Sequence, residues 1–277
     1  MHSVHAISMR TLQKGAYILI YKRQDTMNSK KITFDKLATK YDAWFIKNQN
    51  LLMSEANLVA AALVDDCQGA VSPQDQLPGH TFSVGCGSGL FEQILKKNFQ
   101  LTINEGLEPS DGMADIAEQR GLTVTRTTAE NMSWPVNTYD TILFNGTPSY
   151  ITDLSGVVRE VYKALKPGGR IILIDVPKEG GYGTLYNLAM TLGTWEHPLV
   201  SDIHPPYPYP IEFVKTAQWR TTRDKITCIE EAGFTNLTYQ QTLTKNPMYS
   251  NDIEEQPIAG HDSGDYVAII AMKPATC

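Results

Sequence analysis

Between residues 81 and 175, short apolar runs alternate with stretches of helical spacing, and no other feature restricts the possible folds as strongly. "TFSV" (81–84) reads as a strand and "LFEQILKKN" (90–98) as a helix. "LTINEGLE" (101–108) and "DGMADIAEQR" (111–120) repeat the pair, and "LTVTRT" (122–127) follows as a strand rich in β-branched residues. "YDTILFN" (139–145) is strand-like, and "LSGVVREVYKALK" (154–166) has helical periodicity. "PGG" stops that helix, because Pro cannot continue it and Gly supplies the turn geometry. "RIILID" (170–175) is almost wholly apolar, as expected of a strand covered on both faces. Strands alternating with helices predict a parallel α/β sheet.

The flanks depart from this rhythm. Ahead of it, "FDKLATKYDAWFIKN" (34–48) spaces Phe34, Leu37, Tyr41, Trp44 and Phe45 as one face of an amphipathic helix. "SEANLVAAALVDD" (54–66) predicts a second helix with Ser54 as N-cap. A Pro/Gln/Gly loop, "SPQDQLPGH", separates it from the first strand. Toward the end, "ITCIEEAG" (226–233) reads as a helix, and "TNLTYQQTL" (235–243) and "DYVAIIAMK" (265–273) as two strands without a helix between them. They predict a terminal antiparallel pair. Residues 177–222 fit no sheet element; they hold a helical "YGTLYNLAMTLGTW" (182–195) and a Pro/Tyr-rich "HPPYPYPIEF" (204–213). An insertion after a central strand lies at the carboxyl end of the sheet, where open α/β folds bind ligands, so this segment is read as a cap.

With 42% hydrophobic and 19% charged residues in 277, the chain is long enough for one large core or a core with an insertion. Its formal charge of -6 and scattered Lys and Arg argue against a nucleic-acid surface. Cys67, Cys86, Cys228 and Cys277 show no paired spacing, which fits free thiols in a reducing cytoplasm and no metal site. "GAYILIY" (15–21) is too short to span a bilayer, and no integral membrane segment or targeting signal is expected. Met27 is a candidate start, which makes residues 1–26 an extension and the stretch 1–30 separate from a domain over 31–277; intact mass of the native protein tests this.

"SVGCGSG" (83–89) places Gly85, Gly87 and Gly89 directly after the first strand. Such a turn lets a ligand approach the backbone, and the following helix N-terminus offers N–H groups; a purely steric turn is the alternative. Leu90 stands where a dinucleotide fingerprint would want its third glycine. Glu108, 19 residues after Gly89, ends the second strand, where a carboxylate can accept both hydroxyls of a ribose.

The glycine loop, the acid ending strand two, "TAENMSWP", "YDTILFN" and "LKPGGRIILID" together resemble the class I S-adenosylmethionine-dependent methyltransferases. The small-molecule branch that includes quinone-biosynthesis C-methyltransferases is the most similar, and "FDKLATKYDAWF" also looks like that branch. The resemblance covers roughly residues 32–176 and the pattern of the last two strands. It implies a Rossmann-like, seven-stranded, mostly parallel sheet with a terminal antiparallel strand and helices on both faces. It also implies S-adenosyl-L-methionine as cofactor. Gly85, Gly87, Gly89 and the backbone at Cys86 would face its methionyl part, Glu108 its ribose, and Pro109 and Ser110 its adenine. Where the family commonly has an adenine-binding Asp, this chain has Thr128, which leaves Ala129 and Glu130. Asn145 would lie under the methionyl end, and Tyr41 would close over the cofactor or serve as a core aromatic.

The implied activity is methyl transfer to a small-molecule acceptor by in-line displacement. An aromatic carbon, hydroxyl, amine or thiol acceptor is equally admissible. "NGTPSY" (145–150) has the wrong spacing for the NPPY signature of amino-group methyltransferases. A non-catalytic cofactor binder and an NAD(P)-dependent oxidoreductase are the alternatives, the latter disfavoured by Leu90 and the terminal strand pair. No catalytic base is assigned. Asp175 is in the right region but also suits a turn cap, while His197, His204 and His261 read as loop histidines. Tyr182, Trp195, Tyr207 and Tyr209 are candidate walls for an acceptor. Arsenite methylation would need convergent cysteines, for which Cys67, Cys86 and Cys228 are the only material.

Overall fold

A computed structural model describes residues 31, 33–64 and 79–275. The proposed extension, the Met27 start, most of the Pro/Gln/Gly loop, Cys67 and Cys277 lie outside the described residues.

Among the described residues, eight strands form one sheet in the order β3-β2-β1-β4-β5-β8-β6-β7. They are β1 (Thr81–Val84), β2 (Glu105–Leu107), β3 (Thr123–Thr125), β4 (Tyr139–Asn145), β5 (Leu165–Asp175), β6 (Thr235–Thr242), β7 (Ile258–Ala259) and β8 (Tyr266–Met272). β1 pairs in parallel with both β2 and β4, and β4 with β5. β8 enters antiparallel between β5 and β6. The expected seven-stranded sheet is therefore present, with a two-residue edge strand, β7, added beside β6.

The helices are α1 (33–47), α2 (Gln49–Val64), α3 (Leu90–Ile94), α4 (Asp111–Gln119), α5 (Leu154–Ala164), α6 (Gly181–Leu192), α7 (Ile211–Val214) and α8 (Thr222–Glu231). Both sheet faces are covered, and the central strands divide their side chains by the two-residue period of a strand. Leu143, Ile172, Ile174 and Ile270 face a core built with α2 and α6. Ile142, Phe144, Ile171, Leu173 and Ile269 face a second core built with α5 and α8. This is why the four residues between Arg170 and Asp175 in "RIILID" are all apolar.

Five local expectations needed correction. Ser54 is not an N-cap: α2 begins five residues earlier, and the buried Ser54 hydroxyl donates to the Asn50 carbonyl at 2.7 Å. The same oxygen accepts the Glu255 amide, so a polar residue inside the helix ties down a distant loop. The second strand is only Glu105–Leu107, because Leu101 and Ile103 are buried without strand pairing. β5 starts at Leu165, before the "PGG" turn, since Leu165 is already extended (ψ 141°) as α5 ends. The register against β4 then shifts across the turn. The third helix is one turn long and continues as a π-helical turn over Leu95–Phe99, so it has no extended N-terminal dipole. α8 starts at Thr222, earlier than its apolar spacing implied, because Thr221 and Asp224 form a reciprocal capping box.

Candidate functional site

The chain begins its sheet at β1, runs outward to β3, then returns to place β4 on the other side of β1. The crevice at the carboxyl ends of β1 and β4 is the topological switch point, where such sheets bind ligands. A cleft of about 1250 Å³, counting the solvent in its open mouth, lies there.

Of the twelve residues expected at a cofactor site, the fold brings ten to this cavity: Tyr41, Gly85, Gly87, Glu108, Pro109, Ser110, Thr128, Ala129, Glu130 and Asn145. Cys86 and Gly89 do not line it. The Cys86 side chain packs with Ala117 and Leu122, and its amide, like that of Gly85, donates to the Leu107 carbonyl. The backbone at Cys86 is thus taken up by the turn itself. A Cβ on Gly89 would sit 3.3 Å from Ala117, so this glycine serves the packing of the loop on α4.

Gly87 is different. Its φ is 55°, and a Cβ there would meet only a Tyr41 ring carbon at 4.0 Å, so the loop leaves an open cradle beside Tyr41. Its amide donates to Glu108 Oε2 at 3.0 Å, and the Ser110 amide donates to Oε1 at 2.8 Å. Glu108 is therefore no solvent-facing strand end; it is 7% exposed. Burial pushes its carboxyl up to about 7, against the lowering effect of those two amides. Each carboxylate oxygen keeps a further acceptor site.

Ser110 caps α4, accepting the Met113 amide at 3.2 Å and donating to Asp35 Oδ1 at 2.7 Å. Glu130 accepts the Thr152 amide at 2.9 Å. The Thr128 hydroxyl is buried and without a partner among the described residues. An orphaned polar atom on a cavity wall is a position a ligand can satisfy, and it occurs where the resemblance expected an Asp. The open cradle at Gly87, the buried acid and the orphaned hydroxyl fit the methionyl, ribose and adenine parts of S-adenosylmethionine.

α1 lies across this end of the cavity and is anchored at two points. Asp35 accepts from Ser110 and from the Gly112 amide. Asp42 accepts the Ser88 hydroxyl at 2.6 Å and pairs with Arg120, whose other nitrogen donates to the Ser88 carbonyl. Tyr41, between the anchors, packs edge-on against Phe45 and Phe213 while lining the cavity. The ring thus packs as a core aromatic and also faces the cavity.

The other end of the cavity is aromatic. α1 contributes Phe34, Trp44 and Phe45, the 177–222 segment contributes Tyr186, Tyr209 and Trp219, and β8 contributes Tyr266. The Trp44 indole N–H donates to the Tyr207 carbonyl at 3.0 Å, joining α1 to that segment. Tyr266 donates to Asn145 Oδ1 at 2.8 Å, joining β8 to the end of β4. Of the four aromatics expected to wall an acceptor, only Tyr209 lines the cavity. Tyr182 is turned to Ser250, Trp195 supports the Tyr209 carbonyl from behind, and Tyr207 is exposed. Tyr186 and Trp219 belong to no strong local motif, and Tyr266 reaches the site only because β8 runs antiparallel.

Asp175 lines the cavity with its carboxylate committed: Oδ2 accepts Ser149 Oγ at 2.7 Å and pairs with Lys225 Nζ at 2.9 Å. His197, His204 and His261 do not line the cavity. His204 rests against Trp195 and His261 against Tyr239. Cys86 and Cys228 belong to different packing clusters. Glu55 is the one acidic lining residue that went unnoticed among the described residues. Its signal was present in "SEANLVAAALV", a lone charge in a helix with apolar residues all round.

Comparison with known proteins accords with this geometry. Residues 82–173 match the family model described as a methyltransferase domain. An uncharacterised protein of Methanocaldococcus jannaschii is 27% identical over 87% of this chain and 98% of its own length. A demethylmenaquinone methyltransferase of Symbiobacterium thermophilum is 26% identical over 52% of this chain and 58% of its own. Among solved structures, a Thermotoga maritima protein described as an S-adenosylmethionine-dependent methyltransferase, possibly a histamine N-methyltransferase, superposes with a TM-score of 0.68. It is 27% identical, covering 87% of this chain and 98% of its own. Strand order, glycine loop, domain match and structural match together give this chain a methyltransferase domain over residues 82–173 and the Rossmann-like fold of S-adenosylmethionine-dependent methyltransferases.

Proposed function

We propose that the chain transfers a methyl group to a small molecule held in the aromatic end of the cavity. The observation that carries this reading is the continuity of one cavity from Gly87, Glu108 and Thr128 to Tyr186, Tyr209 and Trp219. S-adenosylmethionine supplies a methyl group on a sulfonium, whose departure leaves a neutral thioether. The protein's part is to align the acceptor with that methyl and to exclude water. In this reading Gly85 and Gly87 receive the methionyl part, Glu108 the ribose, and Pro109, Thr128 and Ala129 the adenine. Residues 31–277 form the methyltransferase domain, and 177–222 are its cap, carrying acceptor-side aromatics on a segment outside the sheet.

Isothermal titration with S-adenosylhomocysteine, followed by a labelled-methyl acceptor screen, tests the proposal. Binding followed by transfer is expected, and NADH binding without S-adenosylhomocysteine binding would sink it. Two variants test the residue roles. Glu108→Gln is expected to weaken S-adenosylhomocysteine by roughly tenfold or more, because an amide NH₂ then faces a donor where a carboxylate accepted. Unchanged affinity would remove the ribose role. Gly87→Val is expected to abolish measurable binding, since its branched side chain enters the open cradle beside Tyr41. Its strain at φ 55° makes Gly87→Ala the milder companion, expected to show intermediate affinity.

A further inference from the structure

Glu55 is the only charged residue of α2, a helix buried along most of its length, and it lines the cavity. It is 8% exposed, and no described residue donates a hydrogen bond or ion pair to its carboxyl. A buried glutamate without a partner is rare, because desolvation penalises its charged form and nothing returns the loss. The cavity brings no counter-ion of its own. Lys31, the lone cation among its described lining residues, is half-exposed and bonded to Asp111 at 2.8 Å.

What surrounds Glu55 is aromatic. Tyr41 from α1, Tyr186 from α6, Tyr209 from the segment before α7, and Tyr266 from β8 line the cavity with it, each within reach of a charge at Glu55. Trp219 lies 4.8 Å from Tyr186, and Trp44 lies 4.9 Å from Tyr209, ring centre to ring centre. Ring faces attract a cation, and a carboxylate neutralises it. A neutral quinone would gain the same apolar contact but leave the carboxyl unpartnered, and a phenol would offer it one neutral O–H without compensating its charge. We propose that the methyl acceptor is a cationic amine, its ammonium seated among these rings and paired with Glu55. This proposal rests on the methyltransferase reading above. The carboxylate can also accept one proton from the ammonium, an O–H bond forming as the N–H bond breaks, which frees the lone pair a nucleophilic nitrogen needs.

The pairing has a pH signature. Loss of solvation holds the empty Glu55 carboxyl up to about 8. A permanent cation binds the ionised form, so its affinity rises by about tenfold per pH unit from 6 and levels off above 8. The facing tyrosines stay protonated through this range, since burial raises each of them. Asp175 is already paired with Lys225, and Glu108, held up to about 7, titrates at the opposite end of the cavity. Dependence that disappears in Glu55→Gln belongs to Glu55.

The test is calorimetry on the full chain, first with S-adenosylhomocysteine, then with that complex titrated by choline and by its neutral isostere 3,3-dimethyl-1-butanol. Choline is expected to bind at least about tenfold more tightly than the alcohol at pH 8. That preference is expected to shrink toward pH 6 and to vanish in Glu55→Gln, whose S-adenosylhomocysteine affinity stays unchanged. Equal affinity for the two probes, a preference independent of pH, or one that survives Glu55→Gln overturns the amine assignment. Failure to bind S-adenosylhomocysteine instead overturns the methyltransferase reading beneath it. The wild-type pH series stands without the variant.

Discussion

Lys225→Met is expected to lower the melting temperature by on the order of 10 °C. Lys225 and Asp175 are 3% and 2% exposed, with Nζ 2.9 Å from Oδ2. Removing one partner of a buried pair leaves the other charge without compensation, which costs about 3–5 kcal/mol. Here the loss is compounded, because Nζ also donates to the Val176 carbonyl at 2.9 Å. The Ser149 hydroxyl alone remains on Asp175, and a single neutral donor does not replace an ammonium. The double variant Lys225→Met, Asp175→Asn is expected to recover a large part of the loss, since it removes the orphaned charge as well. Thermal melts of the three proteins at neutral pH check this. A single variant melting with the wild type would show that the pair does not hold the end of β5 against α8.

Glu55→Gln is expected to stabilise the free protein, and only at high pH. The folded carboxyl is raised from 4.5 to about 8. Below pH 4.5 both folded and unfolded chains keep the proton, so the carboxyl has no pH-linked effect. As pH rises through that window the unfolded chain releases its proton while the folded chain retains it. Wild-type stability therefore falls until about pH 8 and is level above it. The glutamine variant lacks this decline, and its relative gain approaches on the order of 4 kcal/mol at pH 8.5. Glu108, raised to about 7, and Asp265, raised to about 6, contribute declines of the same sign, but they are common to both proteins and cancel in the difference. Denaturant unfolding of wild type and variant at pH 5 and 8.5 measures it. A stability difference equal at the two values would mean that Glu55 is not held neutral by burial. Destabilisation retained at one buried acid is what a binding site can require and a core does not.

The limits of the sequence show clearly at particular residues. Gly87 and Glu108 were legible because a ligand-binding turn and a strand-end acid sit at a short, characteristic spacing along the chain. Their hydrogen bond at 3.0 Å was not, since it depends on how β1 and β2 pair. Cys86 was misassigned because its position beside two glycines does not reveal which way the turn directs its amide. Ser54 looked like a cap, being a Ser ahead of an apolar run, yet tertiary contact with Glu255 made it an interior residue. Tyr186, Trp219 and Tyr266 carry no local mark of a site, because their arrival at one cavity requires the insertion and the reversed strand to fold back over the sheet.

By itself the sequence determined the sheet, its handling of both faces and the glycine-loop end of the crevice. These follow from strand and helix periodicity and from a turn whose chemistry is local. Tertiary structure alone decided the aromatic end. There the wall is assembled from α1, α2, the 177–222 segment and β8, elements far apart in the chain, and the charge of Glu55 acquires meaning only once burial removes its water.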